Sequence, residues 1–262
     1  MPGPTRNASV RTGLPALRDT PDGGLACSLP GAEVRFTGRR GGVSTGAFSS
    51  LNLGSWTADD PGHVRENRGR LAALAGVHRD RLAQAHQVHG TDVLVARGAE
   101  DLPGGDLERV RDADGVATAM PGVPCVVLCA DCLPVALVAD GAVATVHAGW
   151  RGLVGGVLEQ GVRALLEAGG RGGVTAIVGP GAGPCCYEVG DEVHEALAPL
   201  GPTVRSGRHA DLPEAARLRL LAAGVDDVLV AGVCTICAPG RFFSHRRDAG
   251  NTGRQAGATW LT

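Results

Sequence analysis

The chain has no lysine; all 25 of its basic residues are arginine. That excludes a Schiff-base lysine and a phosphate-loop lysine as the seat of any chemistry. It has no uninterrupted apolar run near the ~18 residues that a membrane span needs. Its first residues, MPGPTRNASVRTGLPALRDT, carry no apolar core of a secretory signal, so the expected location is cytoplasmic. In a reducing compartment the eight cysteines are expected as metal ligands, nucleophiles or small buried residues rather than disulfides. Charge of one sign is lacking too. A formal net charge of −2 offers nothing to nucleic acid or to an anionic membrane, so neither is expected as a partner. What is present is a hydrophobic content of 44% in 262 residues, enough to bury a substantial core.

Strand and helix patterns alternate without an internal repeat. Residues 1–25 are rich in Pro, Gly and Arg and read as a loose leader; residues 26–262 read as a single domain. AEVRFTGRR (Ala32 to Arg40) is extended and leads into a glycine turn. HVRENRGRLAALAGV (His63 to Val77) has helical spacing. PCVVLCADCLPVALVADGAVATVHAGW reads as strand, break, strand, turn, strand. GLVGGVLEQGVRALLEAGG reads as one amphipathic helix ending at glycines. Two more helices are expected in GDEVHEALAPL and DLPEAARLRLLAAGV, and strands in VTAIVGP, VDDVLVAGV and the C-terminal segment. The expected fold is an α/β or α+β layered sandwich around a mixed β-sheet.

The Asp140-Gly141 pair between two β-rich runs is a strong hairpin signal of the type I′ kind. With those residues in the turn, Ala139 faces Ala142 and Pro134 faces His147. Cys132 then shares a side with His147 as a diagonal neighbour, roughly 7–8 Å away at Cα. A one-residue slip would separate them. At that distance a thiolate and an imidazole meet at one metal ion or form a catalytic pair. HQVHG supplies His86 and His89, either of which could complete a Cys/His/His set. Three protein ligands leave a fourth tetrahedral position open, the arrangement of catalytic zinc. The pairs Cys129-x-x-Cys132 and Cys234-x-x-Cys237 invite a four-cysteine zinc site, but the long gap between them argues for small buried thiols. The vicinal Cys185-Cys186 pair is read as packing.

RGGVS (Arg40 to Ser44), SLNLG, HQVHG, ADCLPV, HAGWRG, GPGAGPCCYEVG and FFSHRRD with TGRQA occur in that order. Together they resemble the YfiH-like family, named a multicopper polyphenol oxidase or "laccase domain" family and now read as purine nucleoside phosphorylases with adenosine deaminase activity. The match runs from about Arg35 to the C-terminus. The resemblance implies a cysteine-hydrolase-like α/β sandwich and a zinc site made by His89, Cys132 and His147, choosing His89 over His86. It implies a purine nucleoside and phosphate as small-molecule substrates, adenosine, inosine and methylthioadenosine among the nucleosides. The expected assembly is a monomer or weak homo-oligomer. His245 stands where the family often has Tyr.

Phosphorolysis needs cations for phosphate, and arginine is suited to it. Arg40, Arg246 and Arg247 are the candidates, with Ser44 as a further phosphate ligand. His86 is a candidate proton carrier, as imidazole is suited to moving protons near neutral pH. Asp131, beside the cysteine, is a candidate to orient a ligand histidine or handle a proton. A multicopper oxidase needs many histidines, often as His-x-His pairs; this chain has eight and no such pair. Two imidazoles and a thiolate could hold one copper (Cu2+) instead of zinc (Zn2+). Two other readings remain at this level. One is a cysteine hydrolase with Cys132 as nucleophile, acting on an amide of the peptidoglycan-precursor type; the other is a copper-dependent, laccase-like polyphenol oxidase.

Overall fold

A computed structural model describes residues 16–103 and 110–262. Two six-stranded mixed sheets dominate. The first runs in the order Arg18–Asp19, Leu25–Leu29, Ala32–Phe36, Gln255–Leu261, Cys125–Cys129, Ala83–Gln84. The second runs Asp227–Val230, Arg171–Val178, Leu133–Asp140, Ala142–Ala148, Gly115–Thr118, Leu94–Ala96. The expected sandwich is present, but it is built on two sheets rather than one.

Alternation along the strands explains the layers. Ala136, Val138, Val143 and Ile177 of the second sheet meet Val34, Phe36 and Cys125 of the first in one buried cluster. Their neighbours Leu133, Val135, Leu137 and Val146 point the other way, onto helices Val157–Glu167 and Leu212–Ala222. The outer face of the first sheet is covered by helix Pro61–Leu74 through Leu71 and Ala72. Period-2 strands buried on both faces thus give four layers, helix–sheet–sheet–helix. Thr145 joins the sheets by donating to the Cys125 carbonyl at 2.8 Å and bonding the Thr259 hydroxyl at 2.9 Å. Gly257 lets them close: a Cβ there would lie 2.5 Å from that of Pro134.

The hairpin register is the expected one, with Ala139 opposite Ala142 and Pro134 opposite His147. The turn type is not. Gly141 has φ +79° but Asp140 is not among the positive-φ residues, so only the glycine is left-handed and the turn is not type I′. The single helix expected after the hairpin is two, Trp150–Gly155 and Val157–Glu167, broken at Gly156 with φ +97°. Of the leader expected over residues 1–25, residues 1–15 lie outside the described residues. Its last part is not loose, because Arg18 and Asp19 pair with Ala26 and Leu25. No helix among the described residues is long and apolar enough to cross a membrane.

Candidate active site

The hairpin's open end carries the site. His147 is the penultimate residue of strand Ala142–Ala148, and Cys132 immediately precedes strand Leu133–Asp140. His89 approaches from the Val88–Gly90 loop. The ligating atoms of His89, Cys132 and His147 all lie within 4.8 Å of one another. The two imidazoles meet edge-on, with centroids 4.9 Å apart. Gly149 makes room, since a Cβ there would sit 3.1 Å from Cys132 Sγ and 3.1 Å from the His89 ring.

Asp114 organises the cluster. It is fully buried and accepts from His147 Nδ1 at 2.7 Å, from the His89 amide at 3.0 Å, and from the Gly90 and Val88 amides at 2.6 and 3.2 Å. Those three amides fix a loop in which His89 holds φ +60°, uncommon for a side chain of this size. Burial pushes the Asp114 carboxyl up, but His147 and the amides outweigh it and hold it below its ordinary range. With Nδ1 engaged, His147 presents Nε2 to Cys132. Burial likewise raises the Cys132 thiol, and the adjacent His147 and His89 overcome that, bringing it to about 6. His147 is lowered by burial but raised more by Cys132 and Asp114, to about 9. Cys129, wholly buried in its strand, is pushed well above the ordinary thiol value by desolvation and is inert.

A cavity of about 380 Å³ opens over the cluster. Trp56, His86, Tyr187, His245, Arg246 and Arg254 contribute to its walls. His86 lies here, its Nδ1 2.8 Å from Asp112 Oδ1 and its ring 4.8 Å from Trp56. The Arg246 guanidinium lies 5.0 Å from the Tyr187 ring centre. Arg254 donates to the Thr252 and Gly253 carbonyls, at 2.9 and 3.0 Å. Neither arginine has a carboxylate partner among the described residues. Burial lowers the Arg254 pKa, partly offset by Cys129, Cys132 and Asp131.

Three candidates from the sequence are placed elsewhere. Ser44 is buried beneath the glycine turn, donating to Asp59 at 2.6 Å and accepting from Asn67 at 2.9 Å. Arg40 lies against Gly23, on no wall of the cavity. Arg247 is a clamp, bonded to Asp248 and to the carbonyls of Thr235 and Phe242. Of the four expected substrate residues only Arg246 faces the cavity. Asp131 lines it but does not orient a ligand histidine. Its carboxylate accepts from Thr235 Oγ1, Ser244 Oγ and the Arg246 amide, at 2.7, 3.0 and 2.7 Å, which pins its φ of +91° and aims Cys132. Asp114 takes the orienting role that the sequence reading gave to Asp131. Cys185, Cys186, Cys234 and Cys237 are not scattered packing thiols; they converge at the surface.

A family model described as "Multi-copper polyphenol oxidoreductase laccase" matches residues 33–262. The chain belongs to this laccase-like, YfiH-like family. It is 43% identical over 244 residues to "Purine nucleoside phosphorylase PA4543" of Pseudomonas aeruginosa, covering 88% of this chain and 94% of that one. It is 39% identical over 256 residues to "Purine nucleoside phosphorylase YlmD" of Geobacillus stearothermophilus, covering 88% and 92%. The crystal structure of that YlmD superposes with a TM-score of 0.85 at 35% identity, over 95% of this chain and 99% of the other. This YfiH-like chain therefore shares its mixed two-sheet fold with that solved relative.

Proposed function

We propose that the chain is a zinc-dependent purine nucleoside phosphorylase, cleaving inosine and adenosine to free base and ribose-1-phosphate. The observation that carries this reading is a three-ligand Cys/His/His cluster at the floor of a cavity that also holds two arginines without carboxylate partners among the described residues. The names of the relatives agree with it, and they support an enzyme. The donor set fits zinc: one thiolate and two imidazoles in reach of one ion, with Asp114 setting the tautomer of His147. Bound there by His89, Cys132 and His147, zinc supplies positive charge and Lewis acidity beside the substrate.

The chain's own groups do the rest. Arg246 and Arg254 hold phosphate by charge-assisted hydrogen bonds. A phosphate oxygen bonds to C1′ of the ribose as the C1′–N9 bond breaks, and the bonding pair leaves with the purine. His86, held by Asp112, delivers a proton to the departing base. Trp56 and Tyr187 offer aromatic faces to the purine. Deamination of adenosine, in which water replaces the amino group and ammonia leaves, is a side activity of the same cavity.

The test is base release from inosine and adenosine, with and without phosphate, by the wild type before and after chelation and after restoring zinc or copper. Release that needs both phosphate and zinc supports the proposal; metal-independent release, or release indifferent to phosphate, sinks it. Arg254→Gln is expected to raise KM for phosphate about 10–100-fold, the loss of a charged hydrogen bond, with a smaller change in kcat and partial rescue by Arg254→Lys. Initial rates against phosphate concentration check this. His86→Asn is expected to lower kcat roughly 100-fold while KM for nucleoside holds, as initial rates against nucleoside concentration would show.

A second reading has its own observation. Cys132, His147 and Asp114 form a thiol–imidazole–carboxylate relay, the layout of a cysteine hydrolase. It predicts activity without metal. A multicopper oxidase finds no support in the residues, since only two histidines enter the ligating cluster.

A further inference from the structure

Four cysteines that line no part of the active cavity converge at the surface. Cys185 and Cys186 lie in the loop after strand Arg171–Val178, and Cys234 and Cys237 in the loop after strand Asp227–Val230. Those strands are parallel neighbours. The pairing continues past their ends: Gly181 N–H donates to the Val233 carbonyl and Thr235 N–H to the Gly181 carbonyl, at 3.2 and 3.0 Å. The two loops therefore leave the sheet side by side.

All four Sγ atoms lie within 4.8 Å of one another. Cys237 Sγ is 2.9 Å from Cys186 Sγ and 3.3 Å from Cys185 Sγ. Cys234 Sγ accepts the Gly183 amide at 3.4 Å and also the Cys237 amide, bonds that favour a thiolate. The Cys-x-x-Cys spacing with an amide turned back onto its first sulfur is knuckle-like. Four thiols are poor partners for each other and gain little from crowding at the surface. A tetrahedral zinc ion with Zn–S near 2.3 Å needs four sulfurs about 3.8 Å apart, inside the 4.8 Å that encloses all four here and wider than the two contacts of Cys237, so zinc would spread the sulfurs slightly.

We propose that Cys185, Cys186, Cys234 and Cys237 form a second, structural zinc site, closed by four thiolates. Its place suggests its job. Tyr187, next to Cys186, lines the active cavity, and Thr235, next to Cys234, donates to the Asp131 carboxylate behind Cys132. The ion fastens the two loops that carry these residues. The site stands apart from the Cys/His/His cluster and does not depend on the activity proposed above.

The test measures zinc in the full-length chain, purified under reducing conditions with zinc supplied. In Cys132→Ala, where the active-site ligand is removed, about one zinc per chain is expected to remain, as in a closed four-thiolate site. Adding Cys234→Ser and Cys237→Ser, or Cys185→Ser and Cys186→Ser, removes it. Cobalt in place of zinc gives the absorption of a tetrahedral all-thiolate site. A variant that fails to fold leaves the cobalt spectrum and an alkylation assay on Cys132→Ala alone: zinc shields these four cysteines from iodoacetamide, and a chelator exposes them. A folded Cys132→Ala chain that binds neither zinc nor cobalt overturns the proposal. So do disulfides among the four in the reduced preparation, or iron and sulfide in place of zinc.

Discussion

Cys132→Ala is expected to lose the active-site zinc and to cleave inosine roughly a thousandfold more slowly, the equivalent of several kcal/mol of charge stabilisation at the transition state. The reason is the donor count. Cys132 is the cluster's only anionic ligand, and His89 with His147 alone is a poor zinc site. The fold should survive, since the residue is half-buried and the substitution removes one sulfur atom. Zinc content and phosphate-dependent base release must fall together. If activity disappears while active-site zinc stays, Cys132 acts as a nucleophile and the hydrolase reading gains.

The metal-free chain gives a second handle on the same residue. Its thiol lies at about 6 and His147 at about 9, because the two charges stabilise each other. The lowered thiol contributes stability in full above its ordinary value of 9.0 and loses it as pH falls through about 6. The raised imidazole contributes in full below 6.5 and loses it as pH rises through about 9. These describe one pair, which is complete only between about 6 and 9. The stability advantage of metal-free wild type over Cys132→Ala should be flat in that window and shrink as pH falls through about 6; above about 9 the unfolded thiol ionises as well, so no alkaline loss is expected. Iodoacetamide should label Cys132 readily at neutral pH after chelation and slowly once zinc is restored.

How much of this could be read from the sequence differs from residue to residue. The hairpin register could be read, because Asp140-Gly141 marks a turn and counting outward places Cys132 beside His147. The choice of His89 over His86 came only through family resemblance; spacing could not make it. Asp114 could not be read at all. It stands before strand Gly115–Thr118 in a segment that looks like polar loop, and its partners come from 24–33 residues away. The arginines failed for a related reason. Arg40 sits in a glycine turn that looks phosphate-binding, yet that turn closes on Asp59, Asn67 and Gly23. Arg254 lies in TGRQA, where only the fold shows it turning toward Cys132. The cysteine quartet is not legible in one stretch, because its two pairs, one vicinal, are distant in sequence and are joined only by parallel strands.

Asp114→Asn is the sharpest test of how the cluster is positioned. The carboxylate is fully buried and receives four donors, two on each oxygen. An amide has one acceptor oxygen, so its NH2 must face either His147 and His89 or the Val88 and Gly90 amides. Either way two buried donors lose their partner, at about 1–3 kcal/mol each. A cost of roughly 3 kcal/mol lowers Tm by about 6–12 °C in a chain of this size. The deficit should depend on pH with a definite sign. Asp114 is held below its ordinary 3.8, so its stabilisation is present above that value and lost as pH falls through the lower folded one. The gap between wild type and Asp114→Asn should be open at neutral pH and close in acid. A merely structural role would stop there. A positioning role adds a 10–100-fold loss of zinc affinity, because His147 loses the partner that sets its tautomer. Excess zinc should then recover part of the activity of Asp114→Asn but none of that of Cys132→Ala. If Asp114→Asn is destabilised yet binds zinc as tightly as wild type, the Asp114–His147 bond does not orient the ligand, and the proposed hierarchy of the site is wrong.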